Sequence, residues 1–210
     1  MTVANLITII RFPLLLGFLL MIYLGNPDIQ LASVPYLFLA LLLDTLDGVI
    51  ARRTGTTSLM GSVLDIATDR TYELVLWIVL ADLGTISIAV PLIVIARTTL
   101  TDAIRSIGVR QGKAPFEQQG SRLGHFLVSS PWMRSGYSIS KIVAFCGLTL
   151  GFALSGFPEA SDLQAASGPI LRFSEIVAWV AVGFSLVRGT PVILSGYRRV
   201  RGWEEAAMPR

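Results

Sequence analysis

The sequence predicts an all-α integral membrane fold: six transmembrane helices with both termini on the cytoplasmic side. Three observations carry that expectation. The 210 residues are 53% hydrophobic and only 15% charged, against roughly 25% charged in an average soluble domain, and the mean hydropathy is +0.67. The apolar residues fall into six runs, each close to the ~20 residues a helix needs to cross ~30 Å of hydrocarbon. The connections between those runs alternate between loops without Lys or Arg and loops rich in them. Helices are the only plausible spanning elements, because backbone groups in lipid must be satisfied within their own segment, and no alternating strand pattern is present.

In order, the first run extends from about Val3 to Leu24 and carries Arg11 and Pro13 near its start. The second extends from about Leu31 to Ala51, the third from about Leu59 to Ala81 and the fourth from about Thr85 to Ile104. The fifth extends from about Tyr137 to Phe157 and the sixth from about Pro169 to Leu194. Three connections, Asn26 to Gln30, Asp82 to Gly84 and Pro158 to Gly168, hold no Lys or Arg. The others are basic: Arg52 and Arg53; then Arg105, Arg110, Lys113, Arg122 and Arg134; then Arg198, Arg199 and Arg201. Basic loops stay in the cytoplasm, which places both termini and the connections after the second and fourth runs there.

The whole chain, 1–210, reads as one membrane domain, with little length left for a soluble one. The connection 108–136 is the longest polar stretch. Its glycines, prolines and scattered aromatics suit a flexible or surface-lying segment. The tail 198–210 mixes Arg with Trp203, as interfacial segments do. The N-terminus lacks the basic region and cleavage site of a signal peptide, and the lone Cys146 excludes an intrachain disulfide.

Within this apolar chain the stretch 44–69, DTLDGVIARRTGTTSLMGSVLDIATD, holds four carboxylates: Asp44, Asp47, Asp65 and Asp69. A carboxylate in the hydrocarbon costs about 2.5–3.5 kcal/mol on insertion scales, so four strongly oppose insertion unless a cation offsets them. Asp44 and Asp47 are i,i+3 and Asp65 and Asp69 i,i+4, so each pair shares a helical face. The predicted topology puts both pairs at the cytoplasmic ends of their helices, with a turn at Thr54 to Thr57 between them. Oxygen-only ligands select Mg²⁺ or Mn²⁺, and four carboxylates can hold two such ions about 3.5–4 Å apart, the arrangement used in phosphoryl transfer. Arg52 can pair with phosphate oxygens, and Gly48 and Gly61 leave room for a ligand or helix to approach the backbone. A phosphate-rich lipid substrate fits that set.

The run Asp44-x2-Asp47-Gly48-x2-Ala51-Arg52-x8-Gly61-x3-Asp65-x3-Asp69 resembles the full signature of the CDP-alcohol phosphotransferase family, every fixed position and spacing matching. Asn5-x2-Thr8-x2-Arg11 resembles the N-terminal segment common there. The resemblance implies a six-helix enzyme of phospholipid synthesis that displaces CMP from a CDP-linked lipid, usually CDP-diacylglycerol, with an alcohol acceptor and two Mg²⁺ or Mn²⁺ ions. It implies Asp44, Asp47 and Asp65 as metal ligands, and Asp69 as the general base that also touches a metal. It implies Gly48, Ala51, Arg52 and Gly61 at the CDP moiety, with Ser58, Asn5 and Thr8 as further candidates. A carboxylate beside divalent cations is a weak base, so the role of Asp69 requires an acceptor hydroxyl that is acidified by the metal or loses its proton late. Homodimers are common in the family, and the bacterial inner membrane is the expected site.

For the acceptor, Arg97-x7-Arg105 and Lys141 resemble the phosphate-binding residues of the family's phosphatidylglycerophosphate synthases, implying glycerol 3-phosphate. Thr98 stands where those enzymes usually carry an acid, and the interval from Arg105 to Lys141 is longer than theirs. A longer loop with Ser140-Lys141 also resembles the cardiolipin synthases, whose acceptor is phosphatidylglycerol, and inositol phosphate is a further alternative.

Arg97, Arg105 and Lys141 also read as plain positive-inside anchors. Glu73, one turn beyond Asp69, reads as a hydrogen-bond acceptor for a neighbouring Arg. Arg172 and Glu175 read as interfacial and His125 as loop surface. Gly147-x3-Gly151 reads as an ordinary helix contact. The rival from another class is a non-enzymatic cation pathway, since intramembrane acids also mark ion routes. A conduit needs polar residues across the bilayer, whereas these carboxylates cluster at one face.

Overall fold

The computed structural model of the chain describes residues 3–54, 59–109, 130–159 and 161–207; the side chains at 3–9, 44–54, 59–62, 105–109, 131, 134 and 198–207 lie outside what it describes. The described residues form six helices and no strand: α1 (Val3–Leu24), α2 (Pro27–Thr54), α3 (Leu59–Asp82), α4 (Ala89–Val109), α5 (Pro131–Ser155) and α6 (Asp162–Ala207). The all-helical expectation holds, and each predicted run lies on one helix.

Local chemistry explains the boundaries. Between α1 and α2, Asn26 caps the incoming helix by accepting the Ile29 N–H on Oδ1 at 2.9 Å. Pro27 follows at the first helical position, where its missing N–H costs nothing. α3 ends on Gly84, whose φ of 72° lets Gly84 N–H reach the Ala81 carbonyl and Thr85 N–H reach Leu80, both at 3.0 Å. This is the left-handed glycine stop that satisfies two orphan carbonyls. The expected loop Pro158 to Gly168 is corrected. Ser161 Oγ accepts the Gln164 N–H at 3.2 Å, and α6 starts at Asp162, seven residues before the predicted Pro169. The signal was the Ser161-x2-Gln164 capping pair. α6 also runs on through the expected tail to Ala207, 46 residues in all, or about 69 Å of helix. The predicted 108–136 connection is shorter than expected at both ends, since α4 reaches Val109 and α5 begins at Pro131; residues 110–129 lie outside the described residues.

Among the described residues, two stretches are long and apolar enough to cross a bilayer, Ser135–Ser155 on α5 and Asp162–Tyr197 on α6; Ile10–Leu24 and Pro27–Leu43 are shorter apolar stretches. α3 and α4 fall short because they carry charges inside: Asp65, Asp69, Arg70 and Glu73 on one, Arg97 and Asp102 on the other.

The pattern of burial is nonetheless that of lipid-facing helices. α6 buries Ser174, Ala178, Ala181 and Ser185 while exposing Phe173, Ile176, Val180 and Val187. Small residues inside and large apolar residues outside suit close helix packing in a membrane; a soluble protein seldom exposes such a stripe.

The chain divides into two units, one of Met1–Ile88 with Ile142–Val177, the other of Ala89–Lys141 with Ala178–Arg210. In the first, α1 buries Arg11, Leu15, Phe18 and Ile22, one helical face. Two contacts join that helix to α3: Arg11 with Asp69, and the Tyr23 hydroxyl donating to Asp82 Oδ2 at 2.6 Å. The contacts advance together along both helices, so α1 and α3 run parallel. The Trp77 and Phe145 rings meet edge-on, centroids 4.5 Å apart. Gly147 faces Ser174 and Gly151 faces Leu171, so the Gly-x3-Gly pair is a contact between α5 and α6 within the chain. In the second unit, α4 buries Val90, Val94, Arg97, Thr98 and Thr101. Gly189 faces Arg97 and Gly196 faces Ile104. Glycines seven apart on α6 thus seat side chains seven apart on α4.

Candidate active site

Asp65 and Asp69 lie one turn apart on α3, on the face the i,i+4 spacing predicts, and each side chain is 47% exposed. Into that face α1 delivers Arg11, which is 1% exposed. Both terminal guanidinium nitrogens donate to Asp69 Oδ1 at 3.1 Å, and Nη1 lies 4.0 Å from Asp65 Oδ1. Tyr72, one turn on from Asp69 and buried, holds the Arg from a second side. Its ring centroid is 4.9 Å from the guanidinium carbon, a cation–π distance, and its hydroxyl donates to the Arg11 carbonyl. Glu73 is buried and pairs with Arg70 at 3.6 Å.

Arg11 is the residue that the candidate list above leaves out. Its signal was available: a cation interrupting an apolar run is costly unless it finds an acid, and it closes the Asn5-x2-Thr8-x2-Arg11 pattern. Asp44, Asp47, Gly48, Ala51 and Arg52 lie on the last turns of α2 and Gly61 on the first turn of α3, but their side chains, like those of Asn5 and Thr8 on α1, lie outside the described residues, as does Ser58 altogether. Among the described residues no group of three or more metal-ligating side chains is present. The two acids that are described fit a hard cation by chemistry: oxygen donors on one helical face, half open to solvent, with one guanidinium balancing part of their charge.

The acceptor candidates lie in the second unit. Arg97 is 8% exposed, and its stem runs over Gly189: a Cβ built there would lie 2.7 Å from Nε and 3.1 Å from Cγ. Lys141 on α5 and Arg188 on α6 share one aromatic ring, with Nζ 4.5 Å and the guanidinium carbon 5.6 Å from the Tyr137 centroid. Arg188 adjoins Gly189, so one turn of α6 links Arg97 to the Lys141–Tyr137–Arg188 group. Arg188 is a second residue the sequence reading leaves out; as one Arg near the end of a long apolar run it had no partner legible in sequence. The Arg105 side chain lies outside the described residues.

Buried or ring-stacked cations from three helices make a region where an anion is electrostatically favoured. The carboxylate pair with its guanidinium makes a region where divalent cations are. Both are what a phosphate-transfer enzyme needs. The family model described as CDP-alcohol phosphatidyltransferase matches residues 1–187, which takes in every candidate residue except Arg188. That family comprises membrane-associated transferases that move a phosphatidyl group from a CDP-alcohol to an alcohol, generally with divalent metal ions. With nearly nine-tenths of its length matched, and with the family's signature intact, the chain belongs to the CDP-alcohol phosphatidyltransferase family.

Proposed function

We propose that the protein is a six-span membrane enzyme, with both termini in the cytoplasm, that transfers the phosphatidyl group of CDP-diacylglycerol to glycerol 3-phosphate and releases CMP. The observation that carries this reading is the Asp65–Asp69 face of α3, held by a buried Arg from α1, inside a chain that keeps the whole Asp44 to Asp69 signature. Asp44, Asp47, Asp65 and Asp69 would hold two Mg²⁺ or Mn²⁺ ions, which when bound neutralise charge on the diphosphate. Gly48, Ala51, Arg52 and Gly61, with Ser58, Asn5 and Thr8, bind the CDP moiety. Asp69 takes the proton of the acceptor hydroxyl as that oxygen attacks the lipid-side phosphorus. Arg97, Arg105 and Lys141 bind the acceptor's phosphate, and the sharing of Tyr137 by Lys141 and Arg188 adds Arg188 to that set.

The alignment of α1 parallel to α3 supports the odd-numbered helices starting on the same side, as the topology requires. Catalysis by a transferase family leaves the cation-pathway reading without support.

The test is CMP release by purified protein from CDP-diacylglycerol with Mg²⁺ or Mn²⁺, offering glycerol 3-phosphate, phosphatidylglycerol and inositol 1-phosphate separately. Release that depends on glycerol 3-phosphate supports the reading. Release only with phosphatidylglycerol or inositol phosphate keeps the chemistry and replaces the acceptor. Folded, metal-loaded protein that releases none would overturn it.

A further inference from the structure

An Arg and a carboxylate usually pair fork to fork, two nitrogens on two oxygens. The Arg11–Asp69 pair is different. Both nitrogens converge on Oδ1, and no described residue contacts Oδ2. The guanidinium has little freedom to change this. It is fully buried, its flat face lies on Tyr72, and its own backbone carbonyl is held by the Tyr72 hydroxyl. A single residue of α3, three positions from Asp69, therefore fixes the Arg that fixes the carboxylate. Asp65, at 4.0 Å from Nη1, is at the edge of ion-pair range and is not gripped in this way.

We propose that Arg11 is a positioning residue for the transfer step: it occupies Oδ1 of Asp69 and so reserves Oδ2 as the oxygen that receives the acceptor's proton. The inference rests on the reading of Asp69 as general base. In that step the acceptor O–H bond breaks and its proton passes to Asp69 Oδ2. The acceptor oxygen forms a bond to the lipid-side phosphorus. The bond from that phosphorus to the bridging oxygen breaks, and the electron pair leaves with CMP. A carboxylate that gave both oxygens to divalent cations would have none for the proton. A permanent positive charge on Oδ1 excludes a metal ion from that oxygen by repulsion and by occupancy. Arg11 thereby divides the labour of two acids that share one helical face: Asp65 stays open to metal, and Asp69 is turned toward the acceptor.

The test uses the full-length protein with Arg11→Gln and Arg11→Lys, and reads two quantities. One is Mn²⁺ affinity without substrate, followed by electron paramagnetic resonance; the other is kcat and KM for CMP release. Arg11→Gln is expected to bind Mn²⁺ at least as tightly as the parent, because a competing cation is gone. It should keep KM for CDP-diacylglycerol and lose about 10- to 100-fold in kcat, the usual effect of removing a group that orients a site residue. Arg11→Lys keeps the charge but has a single nitrogen, and should recover part of that loss.

Loss of Mn²⁺ binding in step with kcat would overturn the proposal, because Arg11 would then be supporting the site as a whole. An unchanged kcat in Arg11→Gln would overturn it too. Should Arg11→Gln not fold, Arg11→Lys decides alone: a lowered kcat with Mn²⁺ affinity and KM intact supports positioning, and parental kcat refutes it. If the unaltered protein releases no CMP with any acceptor, the transferase reading fails. The Mn²⁺ arm then still decides whether Arg11 competes with metal: tighter binding in Arg11→Gln upholds that exclusion, and weaker binding removes it.

Discussion

Replacing Gly189 by Ala tests whether Arg97 is an acceptor ligand or a bystander. The added methyl carbon would sit 2.7 Å from Arg97 Nε, 3.1 Å from Cγ and 3.4 Å from Cδ. Ordinary contact begins near 3.4 Å, so the Arg side chain must retreat by about 0.7 Å, and at 8% exposure it has little space in which to do so. Overpacking of this kind costs about 1–3 kcal/mol. A binding group misplaced by ~1 Å can cost as much as 10²-fold in rate, so the expected loss in kcat/KM for the acceptor is roughly 10- to 100-fold. The assay is initial-rate CMP release at saturating CDP-diacylglycerol with glycerol 3-phosphate varied. KM for CDP-diacylglycerol should be unchanged. Gly183→Ala is the control on the same helix, because a Cβ there meets nothing within 4 Å; it should be silent. If Gly189→Ala folds and its acceptor kinetics match those of Gly183→Ala, Arg97 does not bind the acceptor and the geometric reasoning is wrong.

Asp69→Asn should abolish CMP release yet retain more Mn²⁺ affinity than Asp44→Asn, measured by calorimetry; equal turnover in parent and Asp69→Asn would remove the base role. Gly84→Ala should lower stability by about 1 kcal/mol through its positive φ, read as a reduced midpoint in thermal unfolding, with turnover at low temperature unaffected. Tyr23→Phe deletes the 2.6 Å bond to Asp82 and should cost about 1 kcal/mol; an unchanged midpoint would mean water replaces the hydroxyl without loss.

The helices were legible because apolar length is a strong signal: α1 matches its predicted bounds, Val3 to Leu24, at both ends. The start of α6 was missed because Gly168-Pro169 looks like a break. A Pro this near a helix start removes one N–H and little else, while the Ser161 cap two turns earlier sets the boundary. At the site, spacing alone placed Asp65 and Asp69 on one face. The partner of Asp69 was not legible, since Arg11 is 58 residues away and only the packing of α1 along α3 brings it there. Arg97 illustrates the reverse case. As sequence it read equally as a topology anchor; its burial on the inward face of α4, stem against Gly189, favours a role inside the protein over one at the headgroups. The ring that joins Lys141 to Arg188 was legible for neither.

The two ties between α1 and α3 measure out a fixed length of chain. Arg11 and Tyr23 stand twelve residues apart, and their partners Asp69 and Asp82 thirteen. A helix advances ~1.5 Å and turns about 100° with each residue. Deleting any one residue between the ties would therefore leave one anchored and swing the other round to the lipid side. Substitutions are tolerated in that interval more readily than any change in its length. The outward positions Leu16 and Leu20 are open to most apolar exchanges, whereas an indel uncouples the acid from its guanidinium at one end or the tyrosine from its aspartate at the other.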